Sequence, residues 1–293
     1  MKRLALVTLV TLGLLGACDQ RDKRPMDREA AKGLFDQIKL DSPPGMSDLT
    51  VDDRGIVWAI AERDRRVLEI DVTKSPLVPI MHELEGIADG VDTEAIAWLG
   101  DGLFAIGVEG ANGPSAAVVR AERQGDAIVA TATRELTDAQ LGVTLTSNHG
   151  IEAVCGRDGE LIAAVETVGK DLAGRRWAPI VRLRGDTVHV TKLWLTTKVG
   201  KISGLSCILA DDGTAQVIAI ERHFGVARFL KFSLGRHDVE VTPTVDLDLN
   251  PVLHDKFNLE GIARLADGRL VTINDNQGRT VSGPTELFVF HPR

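Results

Sequence analysis

Five stretches of this chain repeat one another, and that repetition constrains the fold more than any other feature. They are SDLTVDDRGIVWAIAER from Ser47, TEAIAWLGDGLFAIGVEG from Thr93, IEAVCGRDGELIAAVET from Ile151, SGLSCILADDGTAQVIAIER from Ser203 and LEGIARLADGRLVTIND from Leu259. Each reads as strand, glycine turn, strand, with Gly55, Gly102, Gly159, Gly213 and Gly268 where a tight hairpin needs positive φ. Taking Asp48, Glu94, Glu152, Gly204 and Glu260 as equivalent first-strand positions gives spacings of 46, 58, 52 and 56 residues. That is the period of four-stranded propeller blades, and an open β-sandwich does not keep such a period. Runs such as VLEIDV after Glu62 and ARFLKFSL after Glu221 supply the further strands, and helix-length amphipathic periodicity is almost absent.

The expected fold is therefore all-β: a β-propeller of five four-stranded blades, with six as the alternative. The fifth repeat holds only three strands, LEGIARL, RLVTIND and ELFVFH, before the chain stops at Arg293. The early segment Leu34 to Leu40, LFDQIKL, is expected to supply the missing outer strand and so close the ring, leaving no exposed sheet edge.

Ahead of the repeats, Lys2 and Arg3 precede an apolar run from Leu4 to Leu15, the pattern of a secretory signal, and the run is too short to span a bilayer. It ends in Leu15-Gly16-Ala17-Cys18, which reads as a lipobox in which the Cys18 thiol accepts diacylglycerol. Residues 1–17 are thus expected to be a lipoprotein signal peptide and residues 18–32, charged and poor in large apolar side chains, a solvated tether. Residues 33–293 are expected to form a single propeller domain. The protein would be attached to a membrane through lipid alone, on the extracytoplasmic (periplasmic) side, as a monomer; Asp19 leaves inner and outer membrane both open. The net charge of −8 becomes −10 once Lys2 and Arg3 are cleaved away, which argues against a nucleic-acid partner.

The start of each first strand and the end of each second strand lie at one face of a blade. Those positions are Asp48, Glu94, Glu152, Gly204 and Glu260, then Glu62, Glu109, Glu166, Glu221 and Asp275. Nine of the ten are acidic, in a chain where only 42 of 293 residues are, so the enrichment needs a cause. Carboxylates converging on an axis repel one another unless a metal, arginine or protons neutralise them, and hard oxygen ligands favour Ca²⁺ or Mg²⁺. Asp48, Glu94, Glu152 and Glu260 are the expected metal ligands, with Ca²⁺ the expected ion. Asn148, Asn258, Asn274 and Asn276 stand nearby. The following loops carry Arg63, Arg65, Arg66, Lys170, Arg175, Arg176, Arg222, Arg228 and Arg279, a basic rim suited to an anionic ester, with Arg222 and Arg66 orienting the anion. The competing reading pairs each arginine with a local glutamate in a purely structural belt. His149 and His223 flank the acids as loop histidines. Cys155 and Cys207 occupy equivalent sites on neighbouring inner strands; an oxidising compartment would permit a bridge between them, but inner strands of different blades are expected to stand too far apart, which favours free, buried thiols.

At SDLTVDDRG, NHGIEAV, SGLSCILADDG with IAIERHFG and VARFLKF, and NLEGIARLADGRLVTINDNQG with TELFVF, the sequence resembles the phytase-like propeller family, described as having an esterase-like activity of phytase. The likeness runs from about Met46 to Phe290. It implies an extracytoplasmic propeller that hydrolyses phosphate or carboxylic esters. Carried onto this chain, the family's Glu-Gly step falls on Glu260, its more N-terminal glutamate on Glu152 and its Glu-Arg step on Glu221 and Arg222, making these the implied catalytic residues. The chain departs at Ala153, where Gly is usual. Two function classes follow: a metal-dependent esterase acting on a small anionic ester, and a non-catalytic envelope lipoprotein binding a ligand or envelope protein.

Overall fold

The computed structural model describes residues 28–110, 113–223, 225–253, 258–276 and 283–292. Lys2, Arg3, Cys18 and Asp19, and with them the signal peptide and lipobox, lie outside the described residues, as does Arg279. The described residues are all-β apart from two single-turn helices, α1 (Arg28–Ala31) and α2 (Asp138–Leu141).

After β1 (Phe35–Leu40) come five antiparallel meanders. The first is β2 (Met46–Val51), β3 (Val57–Ala61), β4 (Arg66–Ile70) and β5 (Ile80–Glu85). The second is β6 (Val91–Gly100), β7 (Leu103–Gly110), β8 (Ala116–Gln124) and β9 (Ala127–Glu135). The third is β10 (Ile151–Arg157), β11 (Glu160–Val165), β13 (Arg176–Arg184) and β14 (Thr187–Trp194), with the two-residue β12 (Gly169–Lys170) beside β13. The fourth is β15 (Lys201–Leu209), β16 (Ala215–His223), β17 (Val226–Leu234) and β19 (Thr244–Asp248), while the short β18 (Glu240–Val241) crosses to pair with β14. The fifth is β20 (Leu259–Arg264), β21 (Leu270–Asn274) and β22 (Thr285–Phe290), and β1 adds to it as fourth strand, Phe35 opposite Phe290 and Leu40 opposite Thr285.

The first strands β2, β6, β10, β15 and β20 touch in a closed circuit, the last meeting the first again. Five apolar clusters fill the seams between neighbouring meanders. Strands near the middle are therefore covered on both faces and read as continuous apolar runs, as in Val57–Ala61, every residue of which is buried. The outer strand β5, which pairs in parallel with β9 of the second meander, buries His82 and Leu84 and exposes Glu83 between them, as a strand with one wet face must. The five turn glycines Gly55, Gly102, Gly159, Gly213 and Gly268 all have positive φ, from 79° to 87°.

Each first strand carries an unpaired residue near the same end of its ladder: Ser47, Glu94, Glu152 and Ser203 at one height, and Gly261 one residue further along. These β-bulges re-aim the adjacent side chains, and they correct the alignment expected from sequence. The structural equivalents of Glu94 and Glu152 are Ser47, Ser203 and Glu260, not Asp48 and Gly204: the Asp275 amide donates to the Asn258 carbonyl, two residues before Glu260, as the Glu62 and Glu166 amides donate to those of Gly45 and Gly150. Across the ladder, the position of Glu62, Glu109 and Glu166 falls on Arg222 in the fourth meander, one residue past Glu221. Strand period explains the consequence: a shift of one residue turns a side chain to the opposite face.

The two cysteines also depart from expectation. Cys155 on β10 and Cys207 on β15 form a disulfide with their Cα atoms 5.8 Å apart. Neighbouring first strands converge closely at this level, so the separation falls within bridging range.

Candidate functional site

At one end of the five first strands lies a polar cavity of about 260 Å³, lined by Ser47, Asn148, seven carboxylates and three cations. The carboxylates are Glu62, Glu94, Glu109, Glu152, Glu166, Glu260 and Asp275; the cations are Arg63, Lys201 and Arg222. The charges are not spread evenly. The first three meanders contribute five of the acids, and the fourth contributes Lys201 and Arg222, so a carboxylate wall faces a cationic one.

Lys201 is the residue that sequence reasoning missed. It sits in the fourth repeat, the only one whose aligned first-strand position is not acidic, three residues ahead of Gly204. Its ammonium donates to Glu152 Oε1 at 3.0 Å and pairs with Glu166. Burial pulls its pKa below the usual lysine range, against the pull of Glu152. Arg222 pairs with Glu260 Oε1, while Arg222 Nε and Glu260 Oε2 are buried without a hydrogen-bond partner. On the opposite wall Glu109 Oε2 accepts from the Gly150 amide at 2.9 Å, and burial lifts its pKa to about 7. Glu62 pairs with Arg63 and is lifted by burial to about 6.

Glu94 differs from all of these. It is 8% exposed, faces the cavity, and among the described residues has no hydrogen-bond or ion-pair partner. Burial, followed by the charges of Glu152, Glu109, Glu62 and Asp92, holds its carboxyl well above the usual range.

Of the four expected metal ligands, Glu94, Glu152 and Glu260 reach the cavity and Asp48 does not. Asp48 is fully buried between β2 and its neighbours, where Oδ2 accepts from the Ile96 amide at 2.9 Å and Oδ1 has no partner. A Cβ on Gly261, whose φ is +48°, would lie 2.5 Å from that Oδ1, so glycine is required there. Of the four implied catalytic residues, Glu152, Glu260 and Arg222 line the cavity. Glu221 is turned away: it accepts from the amides of Thr196 at 3.1 Å and Thr197 at 3.0 Å and from both hydroxyls. That clamp fixes the loop before β15.

Most of the expected basic rim fastens its own loops. Arg65 donates to the carbonyls of Ala88 and Val91, and Arg66 pairs with Asp64 and Glu83 away from the cavity rather than orienting an anion. Arg175 pairs with Asp171 and stacks on Trp194, Arg176 donates to the Gly200 carbonyl, and Arg228 pairs with Asp248. The asparagines are likewise engaged: Asn258 donates to Asp275, Asn274 accepts from the Glu286 amide, and Asn276 ties Gly45 of the first meander to Gly283 of the fifth. His149 stands half exposed at the mouth, with Nδ1 on the Ser147 carbonyl and Nε2 3.8 Å from Glu166. His223 ends β16 as an exposed residue.

A family model described as "Esterase-like activity of phytase" matches residues 43–278, a span holding all seven of the cavity's carboxylates. The chain belongs to this phytase-like family. No curated protein sequence matches it. Among solved structures, a Thermus thermophilus protein assigned as an oxidoreductase of the glucose dehydrogenase type is similar at a TM-score of 0.55 and 12% identity, covering 88% of this chain and 100% of that one. The PQQ-bound aldose sugar dehydrogenase of Streptomyces coelicolor is similar at 0.51 and 11%, covering 88% and 98%. At such identities the likeness shows the β-propeller fold of this phytase-like chain and nothing of its chemistry.

Proposed function

We propose that this phytase-like protein is a lipid-anchored extracytoplasmic propeller of five blades, closed by β1, that binds Ca²⁺ and hydrolyses a small anionic ester in its central cavity. The observation that carries the reading is the opposition of a carboxylate wall to the pair Lys201 and Arg222. Seven carboxylates against three cations leave the cavity strongly acidic, and the donors are all hard oxygens, which suits Ca²⁺. Glu94, buried and among the described residues without a partner, is a group that a cation would satisfy. When bound, such an ion supplies charge neutralisation and a water of lowered pKa. The chain's own part is to hold the ester. Lys201 and Arg222 take its anionic oxygens, and Glu152, Glu166 and Glu260 fix those two cations in place. Glu221 acts at a distance, by fixing the loop that leads into Lys201.

The five meanders, their five apolar seams and the pairing of β1 with β22 support the blade count and the closure. The run Leu15-Gly16-Ala17-Cys18 supports the anchor. Replacing Cys18 by Ser should give a folded protein that no longer partitions into detergent.

The test of the activity is hydrolysis of p-nitrophenyl phosphate and p-nitrophenyl acetate with Ca²⁺ present and after chelation. Lys201→Met and Arg222→Met should each raise KM about tenfold or more, the size expected for one charged contact to the anion. Activity that survives both substitutions would sink the assignment. A second reading keeps a specific observation of its own: Glu152, Glu166 and Glu260 are each paired to Lys201 or Arg222, as in a structural ion-pair belt. On that reading the protein is a non-catalytic envelope lipoprotein. Absence of hydrolysis of either ester, with the ion pairs shown by double-mutant cycles to be stabilising, would favour it.

A further inference from the structure

Three carboxylates at one corner of the cavity, Glu62, Asp92 and Glu94, each place an oxygen within 4.8 Å of the other two. None of this trio except Glu94 belongs to the ligand set expected from sequence. The backbone brings them together. Thr93, fully buried at the start of β6, donates its amide to the Glu62 carbonyl at 3.0 Å and its hydroxyl to the Ala61 carbonyl at 2.7 Å. The end of β3 is thereby welded to the start of β6, and Asp92 and Glu94 flank the weld. Three oxygens within 4.8 Å of one another lie at most about 2.8 Å from a common centre, so shifts of a few tenths of an ångström bring all three to a calcium–oxygen bond of about 2.4 Å.

Acidic side chains often gather without binding anything, and two further observations lift this corner above that. Glu94 is more than nine-tenths buried, is aimed into the cavity, and among the described residues has no partner. Glu62 and Asp92, by contrast, share one cation: the Arg63 guanidinium pairs with Glu62, and its Nε lies 3.6 Å from Asp92 Oδ2. That side chain is 59% exposed, so it can leave towards water without opening the core.

We infer that Glu62, Asp92 and Glu94 form the seat of a hard divalent cation, and that Arg63 is a built-in counter-ion which the arriving cation displaces. This deepens the reading of the cavity as a cation-assisted site and names where the cation sits. It stands or falls on metal binding alone. A cation in this seat satisfies Glu94 and releases Arg63 to the cavity mouth, where it adds a third positive group beside Lys201 and Arg222. An anion would then meet a more positive mouth in the loaded protein than in the empty one.

The experiment is calorimetric titration of the chelator-treated full chain with CaCl₂ and with MgCl₂, for the wild type and for Glu94→Gln, Arg63→Met and Glu83→Gln. Saturable Ca²⁺ binding to the wild type is expected, weakened about tenfold or more in Glu94→Gln, which loses one charged ligand. Arg63→Met, lacking the competitor, should bind more tightly than the wild type. Glu83→Gln, which removes a carboxylate outside the cavity, should stay within about threefold. Glu94→Gln also removes a buried charge without a partner, so its metal-free form should melt no lower than the wild type, which separates lost binding from lost folding. Wild-type binding that is absent, or unchanged in Glu94→Gln, or weakened in Arg63→Met, overturns the inference. Binding as described with no ester hydrolysis leaves the seat in place and removes only the proposed activity.

Discussion

Glu62, Glu94, Glu109 and Asp48 are all pushed upward in pKa, chiefly because burial penalises their charged form. The sign of the consequence follows from proton counting. Between the ordinary carboxylate range and about 6 for Glu62, or about 7 for Glu109, the folded state binds more protons than the unfolded one. Stability then falls as pH rises through that window and levels off above it. The metal-free protein should therefore melt at a higher temperature at about pH 5 than at about pH 8, and CaCl₂ should restore more stability at the higher pH. Scanning calorimetry in chelator across this range checks it; a flat or rising profile would show that the carboxyls are not strained. At this scale the sequence disclosed the acids, because repetition made them stand out. It concealed Lys201, because a lysine ahead of Gly204 has no counterpart in the other repeats. The partners of Glu221 are two threonines some 24 residues upstream, which no local pattern announces.

Among the elements, the strands and their glycine turns were legible from alternation and spacing, and the segment Leu34 to Leu40 does pair with the last strand. The bulges were not legible. A single unpaired residue leaves the hydrophobic pattern nearly intact while turning its neighbours, so the aligned acids Asp48 and Glu221 were each one place out of register, whereas Glu260 kept its place. The disulfide was hidden for a related reason: spacing gives the equivalence of Cys155 and Cys207, but only the packing of β10 on β15 gives their distance. Closing a loop with a sequence separation of 52, the bridge is expected to contribute about 4 kcal/mol. Replacing both cysteines by alanine should lower the melting temperature by several degrees in non-reducing buffer. An unchanged melt would mean that the seam between the third and fourth meanders holds without it.

For the whole molecule, the pairing of β1 with β22 makes a testable demand: if it closes the ring, order should depend on it. Phe35 packs edge-on to Phe288 with ring centroids 5.3 Å apart, and lies 5.1 Å from Phe290, which in turn meets Phe229 of the fourth meander at 4.9 Å. A chain beginning at residue 28 should melt as the full-length protein does. One beginning at residue 42 loses β1, uncovers the ladder of β22 and this aromatic contact, and should aggregate or unfold below the growth temperature of a mesophile. Equal melting of the two by circular dichroism would rule out closure by β1.

The bulged positions also bear on what this architecture could become. A residue outside the ladder can be exchanged without breaking a strand pairing, so Ser47, Glu94 and Glu152 behave as three settings of the cavity's chemistry, while Ser203 is buried with its hydroxyl on the Leu259 carbonyl and Gly261 is locked by the Asp48 carboxylate against it. Relatives built on the same frame could recognise quite different molecules by rewriting three letters, and a protein engineer could retune the mouth of this one in the same way.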